Sequence, residues 1–449
     1  MGQGLRQHLS RRGPLLLTAA AVAALGIKFF YFISAYSVNV LYFDQWDLFT
    51  PLFQGKAGPL NLFLWQHGWH RMGLGLIGSN VLYAATNWNT RAESFMIGGC
   101  IFAALIIAIW LKKQLYGCIS YFDVAIPLIF LNLMQYEMLI GTPNPGFSAI
   151  PLLLILLYCA ILLLQNSFLR YALLLTVSFC LIYTGFGLFM GPVTIGVFAL
   201  YGYWRVRRMS ETPLWLSLAG LALAGVSLGS FFIHYTFNPA AVCFDSSHKN
   251  FGSYSWFVAL MFSAFLGPTR PVVLVTVGGF IGLSVALGIL AIELYRVVTG
   301  AGNRPGNRAV THVIVGVLVG YSMLFAVNAA FGRVCLGLPD AAQASRYSTP
   351  LIPAYLGVYL FLAALPSMPV RGILMACFVF LLIPSGIKIP PSASRFTDGK
   401  RAWVGCYLRT ADIAYCDRAT GFPVYPPPQQ NGMQQKLDYL SERRLNFFR

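Results

Sequence analysis

Long apolar runs, each broken by a short polar or basic connection, fill the chain from residue 14 to residue 388. Roughly 17–25 apolar residues make an α-helix long enough to cross a bilayer. On that measure the candidate spans are 14–36, 94–111, 123–140, 147–165, 168–185, 188–204, 214–235, 272–296, 309–331, 349–366 and 372–388. The expected fold class is an all-α polytopic membrane protein with about 11 transmembrane helices. Residues 253–266 are apolar but short, and Gly-Pro-Thr-Arg-Pro at 267–271 follows them. Counted as a span they would reverse every later one, so they are read as a half-span or interfacial helix on the outer side. Residues 72–86, interrupted by Gly73, Gly75 and Gly78, are expected to lie along the outer membrane surface.

Basic residues orient these runs. Arg6, Arg11 and Arg12, then Lys112 and Lys113, Arg170, Arg205, Arg207 and Arg208, Arg296, Arg304 and Arg308, and Arg371 fall on alternate connections. Placed in the cytoplasm, they put the N-terminus inside and the C-terminus outside. The first run has the basic flank of a signal peptide. It also has Lys28 near its far end, no small-x-small cleavage site and the length of a full span, so it is read as a retained helix. The expected organisation is a transmembrane domain over 1–388, with a first periplasmic loop at 37–93, and a small periplasmic C-terminal segment over 389–449. That segment carries Pro390, Pro391, a proline run at 426–428 and a near-helical pattern over 433–448, with too few apolar residues for an independent core.

The composition, 57% hydrophobic and 10% charged, agrees with a membrane protein. A net charge of +17 invites a nucleic-acid partner, but the basic residues lie scattered between apolar runs, where they set topology instead. Cys100, Cys118, Cys159, Cys180 and Cys377 sit in or beside apolar helices, where a thiol behaves as a small hydrophobe. Cys406 and Cys416, in the polar tail, can close a disulfide on an oxidising face. The two halves show no repeat, which weighs against an inverted-repeat transporter.

Acids are scarce, 14 in 449 residues, so their positions carry information. Asp44 and Asp47 follow the first span directly, flanked by Tyr42, Phe43 and Trp46. Either could be a general base taking a proton from an acceptor hydroxyl; the plainer alternative is a solvated turn in which Asp47 caps a helix. The run Trp65, Gln66, His67, Gly68, Trp69, His70, Arg71 suits an oxyanion: Arg71 and a protonated histidine offer charge-assisted bonds to phosphate. A shared metal on the two histidines is not favoured, because no second histidine cluster supports it, and an aromatic belt with snorkelling cations is the structural alternative. Gln135 and Glu137 lie near the outer end of the third run, and Arg333, Arg346 and Tyr347 flank the outer loop after the ninth. The remaining outer acids are Glu93, Asp245 and Asp340; His234, His248 and His312 are isolated.

The runs FDQWD at 43–47, QHGWHR at 66–71, QYE at 135–137, GR at 332–333 with SRYST at 345–349, and ERRLNFF at 442–448 together resemble a group of bacterial membrane glycosyltransferases of the GT-C type. An acidic residue often stands between the two histidines of that pattern, whereas this chain has Gly68 and Trp69 there. The resemblance implies transfer of a sugar from a polyprenyl-phosphate donor to a periplasmic acceptor (a glycan, a lipid, or a protein such as a pilin) at the bacterial inner membrane, with no cofactor. It implies Asp44 or Asp47 as base, Arg71, His67, His70, Arg333, Arg346 and Tyr347 around the donor phosphate, and Trp46, Gln66, Gln135 and Glu137 lining the site. A transporter or flippase of lipid-linked glycans, and a polysaccharide ligase or polymerase, are the rival readings.

Overall fold

The computed structural model describes residues 2–56, 58–207, 209, 212–237, 250–267, 271–300, 308–425 and 432–449. Arg208, Asp245, His248, Arg270, Arg304 and the proline run at 426–428 lie outside the described residues. The protein is an all-α membrane protein: the described residues hold one two-residue hairpin as their only sheet. Among them six helices are long and apolar enough to cross a bilayer: Arg12–Tyr36, Thr90–Tyr116, Gly185–Val206, Val272–Thr299, Ala309–Leu336 and one within Met368–Thr410. Shorter apolar helices are Tyr121–Gln135, Ala149–Ile161, Ser167–Ile182, Leu214–Ser230 and Phe251–Phe265. Side chains such as Ile27, Val273, Leu274, Ile281 and Phe380 are exposed on the outside of the bundle, a belt that water would not tolerate and lipid would.

At the centre stands Ser348–Ala363, buried on nearly every face, as a helix apolar all round must be. Pro353 lies inside it, and the Ser322 hydroxyl is inserted in its ladder, donating to the Pro350 carbonyl (2.8 Å) and accepting from the Ala354 N–H (3.0 Å).

The expected third span is not one helix. Asn132 Oδ1 accepts from the Met134 N–H (2.7 Å) and Gln135 Nε2 donates to the Phe130 carbonyl (2.7 Å), so side chains take the backbone partners a helix would use. The run breaks into Ala125–Phe130, Leu133–Gln135 and Glu137–Gly141. The freed Met134 carbonyl is met by the hydroxyls of Ser345 (2.6 Å) and Ser348 (3.1 Å). Broken helices are tolerated at membrane depth where protein satisfies them.

Two polar clusters lie at the ends of long helices away from residues 37–93. Lys112, assigned above to topology, is buried and ion-paired with Asp123 (2.8 Å), which also accepts from the Ser120 N–H and hydroxyl and from Tyr359. His312 is not isolated: Nδ1 lies 2.5 Å from Glu293, which also pairs with Arg296 (3.0 Å).

The opposite face carries a cap with its own apolar core. Val40, Trp46, Phe49, Leu76 and Trp88 from the first loop region pack with Trp403, Tyr407, Val424, Met433 and Leu437 from the tail. The tail therefore lies on the same face as the first loop and shares its core. Cys406 and Cys416 are joined by a disulfide, Cα to Cα 5.7 Å, within this cap. Cys335 is disulfide-bonded too, which the sequence reading did not anticipate. Asn446 pins the terminus, donating to Asn39 Oδ1 (3.0 Å) and to the Trp88 carbonyl (2.7 Å). Glu93, fully buried, accepts from Ser79 (2.6 Å), Tyr83 (2.6 Å) and Gln45 (3.1 Å), tying the Gly73–Thr86 helix and the first loop to the helix Thr90–Tyr116.

Candidate functional site

Between cap and bundle lies a cavity of about 690 Å³. Asp44, His67, His70, Glu137, Arg333, Arg346 and Tyr347 line it, although they come from five separate stretches of the chain. The rest of its wall is strongly aromatic, including Phe147, Phe186, Phe231, Tyr235 and Phe325. A mostly apolar cavity with a few convergent polar groups is the usual form of a small-molecule site.

Asp44 precedes a one-turn helix, Gln45–Leu48, and its side chain makes no capping bond. Phe43 before it has φ +52°, a left-handed backbone that costs a bulky residue about 1–3 kcal/mol. The tail offsets that cost: the Phe43 N–H donates to the Val424 carbonyl (2.8 Å) and its ring lies 6.3 Å from that of Tyr425. The neighbours of Asp44 are all engaged elsewhere. Gln45 Oε1 accepts from the Tyr42 N–H (3.0 Å), and its Nε2 donates to the Pro143 carbonyl (2.9 Å) as well as to Glu93. Trp46, expected at the site, is fully buried in the cap, its carbonyl accepting from Lys436 Nζ (2.6 Å). Asp47 accepts from the Tyr425 hydroxyl (2.5 Å) and lies 3.5 Å from Lys436 Nζ. Of the two acids in this turn only Asp44 lines the cavity, and its carboxylate makes no hydrogen bond or ion pair among the described residues.

The histidines are separated by a hairpin and not by a helical turn. Gly68, at φ +56°, permits the reversal, and the register pairs His67 with His70 and Gln66 with Arg71. Successive strand residues point to opposite faces, so both histidines turn into the cavity while Gln66 and Arg71 turn away. Gln66 holds both backbone groups of Thr236, accepting from its N–H (2.9 Å) and donating to its carbonyl (2.7 Å). Arg71, expected on the donor phosphate, is instead buried and donates to the carbonyls of Leu64, Phe231 (3.2 Å) and Ile233, with its guanidinium 5.9 Å from the Phe231 and Tyr235 ring centres. It fastens the segment after Leu214–Ser230 to the hairpin and does not converge with the other arginines.

Glu137 and Arg346 meet across the broken third run. Glu137 accepts from the Arg346 N–H (3.3 Å), its carboxylate lies 3.7 Å from the Arg346 guanidinium, and its own N–H donates to Ser345 Oγ (3.0 Å). Gln135 lies outside the cavity, accepting from Thr349 Oγ1 (3.0 Å) and thereby fixing the start of the central helix. Burial works against the Arg346 charge, but Glu137, Tyr347 and Asp44 outweigh it and raise its pKa. Arg333, at the end of its helix, is exposed on the cavity wall and has no ion-pair partner among the described residues. Sequence reasoning missed Thr142, Asn144 and Asn328, each a single polar residue on the wall. Asn328 stands with Phe325, Ala329 and Gly332 at helical spacing on one face of Arg308–Arg333, the one signal that pointed to it.

Neither histidine brings positive charge near pH 7. Burial lowers the pKa of His67, and Arg333 adds to this against the opposing pull of Asp44 and Asp47. Burial, His67 and Arg333 push His70 down to about 3. A group whose pKa falls on folding contributes stability that is complete above its unfolded value, near 6.5, and is lost as the pH falls toward its folded value. Thermal stability is therefore expected to drop between about pH 6.5 and 3. In His70→Phe that part of the slope should vanish; an unchanged melting profile across this window would contradict a neutral, enclosed His70. Among the described residues no group of three or more His, Cys, Asp or Glu side chains is placed to hold a metal ion.

No protein-family model matches the chain, and no curated protein or solved structure is detectably similar to it.

Proposed function

We propose that the protein is a membrane glycosyltransferase that moves a sugar from a polyprenyl-phosphate donor to an acceptor hydroxyl on the outer side of the bacterial inner membrane. The observation that carries this reading is the convergence of a carboxylate without a hydrogen bond or ion pair among the described residues, Asp44, and two arginines, Arg333 and Arg346, on one aromatic-walled cavity. In the proposed reaction the acceptor oxygen attacks the sugar carbon and gives its proton to Asp44. The bond from that carbon to the donor phosphate breaks, and its electron pair leaves on the phosphate oxygen. Arg333 and Arg346 face that developing charge, where fixed cations contribute most to lowering a barrier. Tyr347 adjoins both, Arg346 lying 5.8 Å from its ring centre, while Glu137 keeps Arg346 aimed.

The proposed topology has eleven crossings, six by the long helices and the others by the broken third run, Ala149–Ile161, Ser167–Ile182, Leu214–Ser230 and Ser348–Ala363. Phe251–Phe265 stays on the cap side. Its Tyr254 packs 4.7 Å from Phe331, and its last carbonyl, Phe265, accepts from Asn132 (2.8 Å), both near the cavity end of the bundle. An odd number of crossings suits a first loop and a tail that share one core, and disulfides at Cys406–Cys416 and Cys335 suit an oxidising outer face.

Purified protein incubated with a panel of polyprenyl-phosphate hexoses and an envelope glycan fraction should release polyprenyl phosphate and label the acceptor. Movement of intact lipid-linked sugar across vesicles, with no release, would favour a flippase and sink this reading.

A further inference from the structure

One side of the cavity is built from the stretch 137–147, which contributes Glu137, Met138, Thr142, Asn144 and Phe147 to the wall. Glu137–Gly141 makes a single wide turn, closed by the Thr142 N–H donating to the Glu137 carbonyl (2.7 Å). Such turns occur mostly singly and are frequent at functional sites. This one cannot run on as a helix, because Pro143 and Pro145 have no N–H to give. The carbonyls of Ile140 and Gly141 must therefore find donors elsewhere, since a buried backbone carbonyl left unpaired is costly.

Lys400, on the tail helix Ser392–Thr410, supplies them. Its Nζ donates to the carbonyls of Ile140 (3.0 Å) and Gly141 (2.6 Å) and lies 5.2 Å from the centre of the Tyr42 ring. The side chain is fully enclosed, which an ammonium tolerates only when its donors are matched. Phe396 lies one turn earlier on the same face of the helix and packs its ring against Gly141, 3.4 Å from where a Cβ would stand. Thr397 Oγ1 fastens that helix to the end of the first span, donating to the Tyr36 carbonyl (2.7 Å). From the first loop, Gln45 Nε2 donates to the next free carbonyl, that of Pro143 (2.9 Å). The backbone behind Glu137 is thus gripped at residues 140, 141 and 143 by side chains that are not themselves on the cavity wall.

We propose that Lys400 is a positioning residue for sugar transfer: it fixes the turn that carries Glu137 and so sets where Glu137 holds Arg346 against the departing phosphate. This rests on the glycosyltransferase reading, in which Arg346 answers the charge that develops there. Lys400 touches no substrate itself. Through it the C-terminal tail becomes a working part of the site, although none of the tail lines the cavity.

The test sets Lys400→Met against Lys436→Met in the full-length protein. Lys436 is the matched control, a second buried tail lysine whose Nζ donates to a backbone carbonyl, that of Trp46 (2.6 Å), within the cap core. Both changes should lower the melting temperature. Only Lys400→Met should also lower kcat by about 10²-fold, the cost of a displacement of roughly 1 Å among reacting groups, with little change in KM for the donor. Lys400→Arg, which can still donate to both carbonyls, should recover part of the rate. Because Lys400 acts through Glu137, its loss should cost far less in a Glu137→Gln background than in the wild type, whereas Lys436→Met should cost the same in both. Lys400→Gln, a neutral donor, takes the place of Lys400→Met in this cycle where that protein does not fold. A kcat for Lys400→Met no lower than for Lys436→Met, or losses that simply multiply with Glu137→Gln, overturn the assignment. A wild-type protein that transfers no sugar from any donor overturns the functional reading itself, and the two failures are told apart by the wild-type rate.

Discussion

Asp44→Asn is expected to slow sugar transfer by about 10²–10⁴-fold in kcat, the range general base catalysis usually contributes. The substitution keeps the size of the side chain and removes its basicity. No hydrogen bond of the carboxylate within the protein is lost, because none exists among the described residues. KM for the donor should change little, since in the proposed reaction the phosphate faces the arginines. Asp47→Asn is the informative partner. Its carboxylate is held by Tyr425 and Lys436 of the tail, so this change should loosen the cap and lower thermal stability, with a smaller loss of kcat. A wild-type rate for Asp44→Asn alongside a collapse for Asp47→Asn would exchange the two roles. A wild-type rate for both would remove the base from the mechanism. Measured kcat and KM for the two purified variants, with melting temperatures as the control, decide among these outcomes.

What the sequence made legible follows from cost. Charge is expensive in an apolar chain, so the few charged residues near the outer ends of the runs were conspicuous, and Asp44, Glu137, Arg333 and Arg346 do line one cavity. The same criterion could not separate charges that face the cavity from those that hold it together. Arg71 and Asp47 stand one and three residues from cavity groups, yet one binds three carbonyls and the other binds the tail. The difference lies in a two-residue strand and a single helical turn, too short for any periodicity to register. Asn144 and Asn328 were missed for the converse reason, because a lone neutral amide carries no charge to mark it. The shared core of the first loop and the tail joins residues some 350 positions apart, such as Asn446 and Trp88, and nothing local to either stretch announces the other. Most apolar runs did become helices with nearby boundaries, and among the described residues six of those helices are long and apolar enough to cross a bilayer. The third failed where Asn132 and Gln135 bind the backbone, a contest that hydropathy does not register.

Arg333 carries the second large effect. Arg346 already has Glu137 beside it, and Asp44 acts on it as well, so part of its charge is spent within the protein. Arg333 faces the cavity without such a partner, and its charge is felt by His67, His70 and Tyr347. It is the group best placed to answer a phosphate that gains charge as the sugar leaves. Arg333→Met keeps much of the stem packing and should cost about 10²–10³-fold in kcat, as does loss of one donor at a developing charge. Arg333→Lys should recover only part of this, since a point charge replaces a fork that matches two phosphate oxygens. Loss of the positive charge also removes one of the influences that depress the pKa of His67 and His70, so both should titrate at higher pH in the variant, a shift that NMR of the imidazole protons can follow. Arg71→Met is the contrast: three buried carbonyls lose their donor, and the expected result is a lower melting temperature with loss of the wall around Phe231. If Arg333→Met leaves kcat untouched while Arg71→Met alone abolishes transfer in protein that remains folded, the phosphate lies on the other face of the hairpin and the assignment of Arg333 fails.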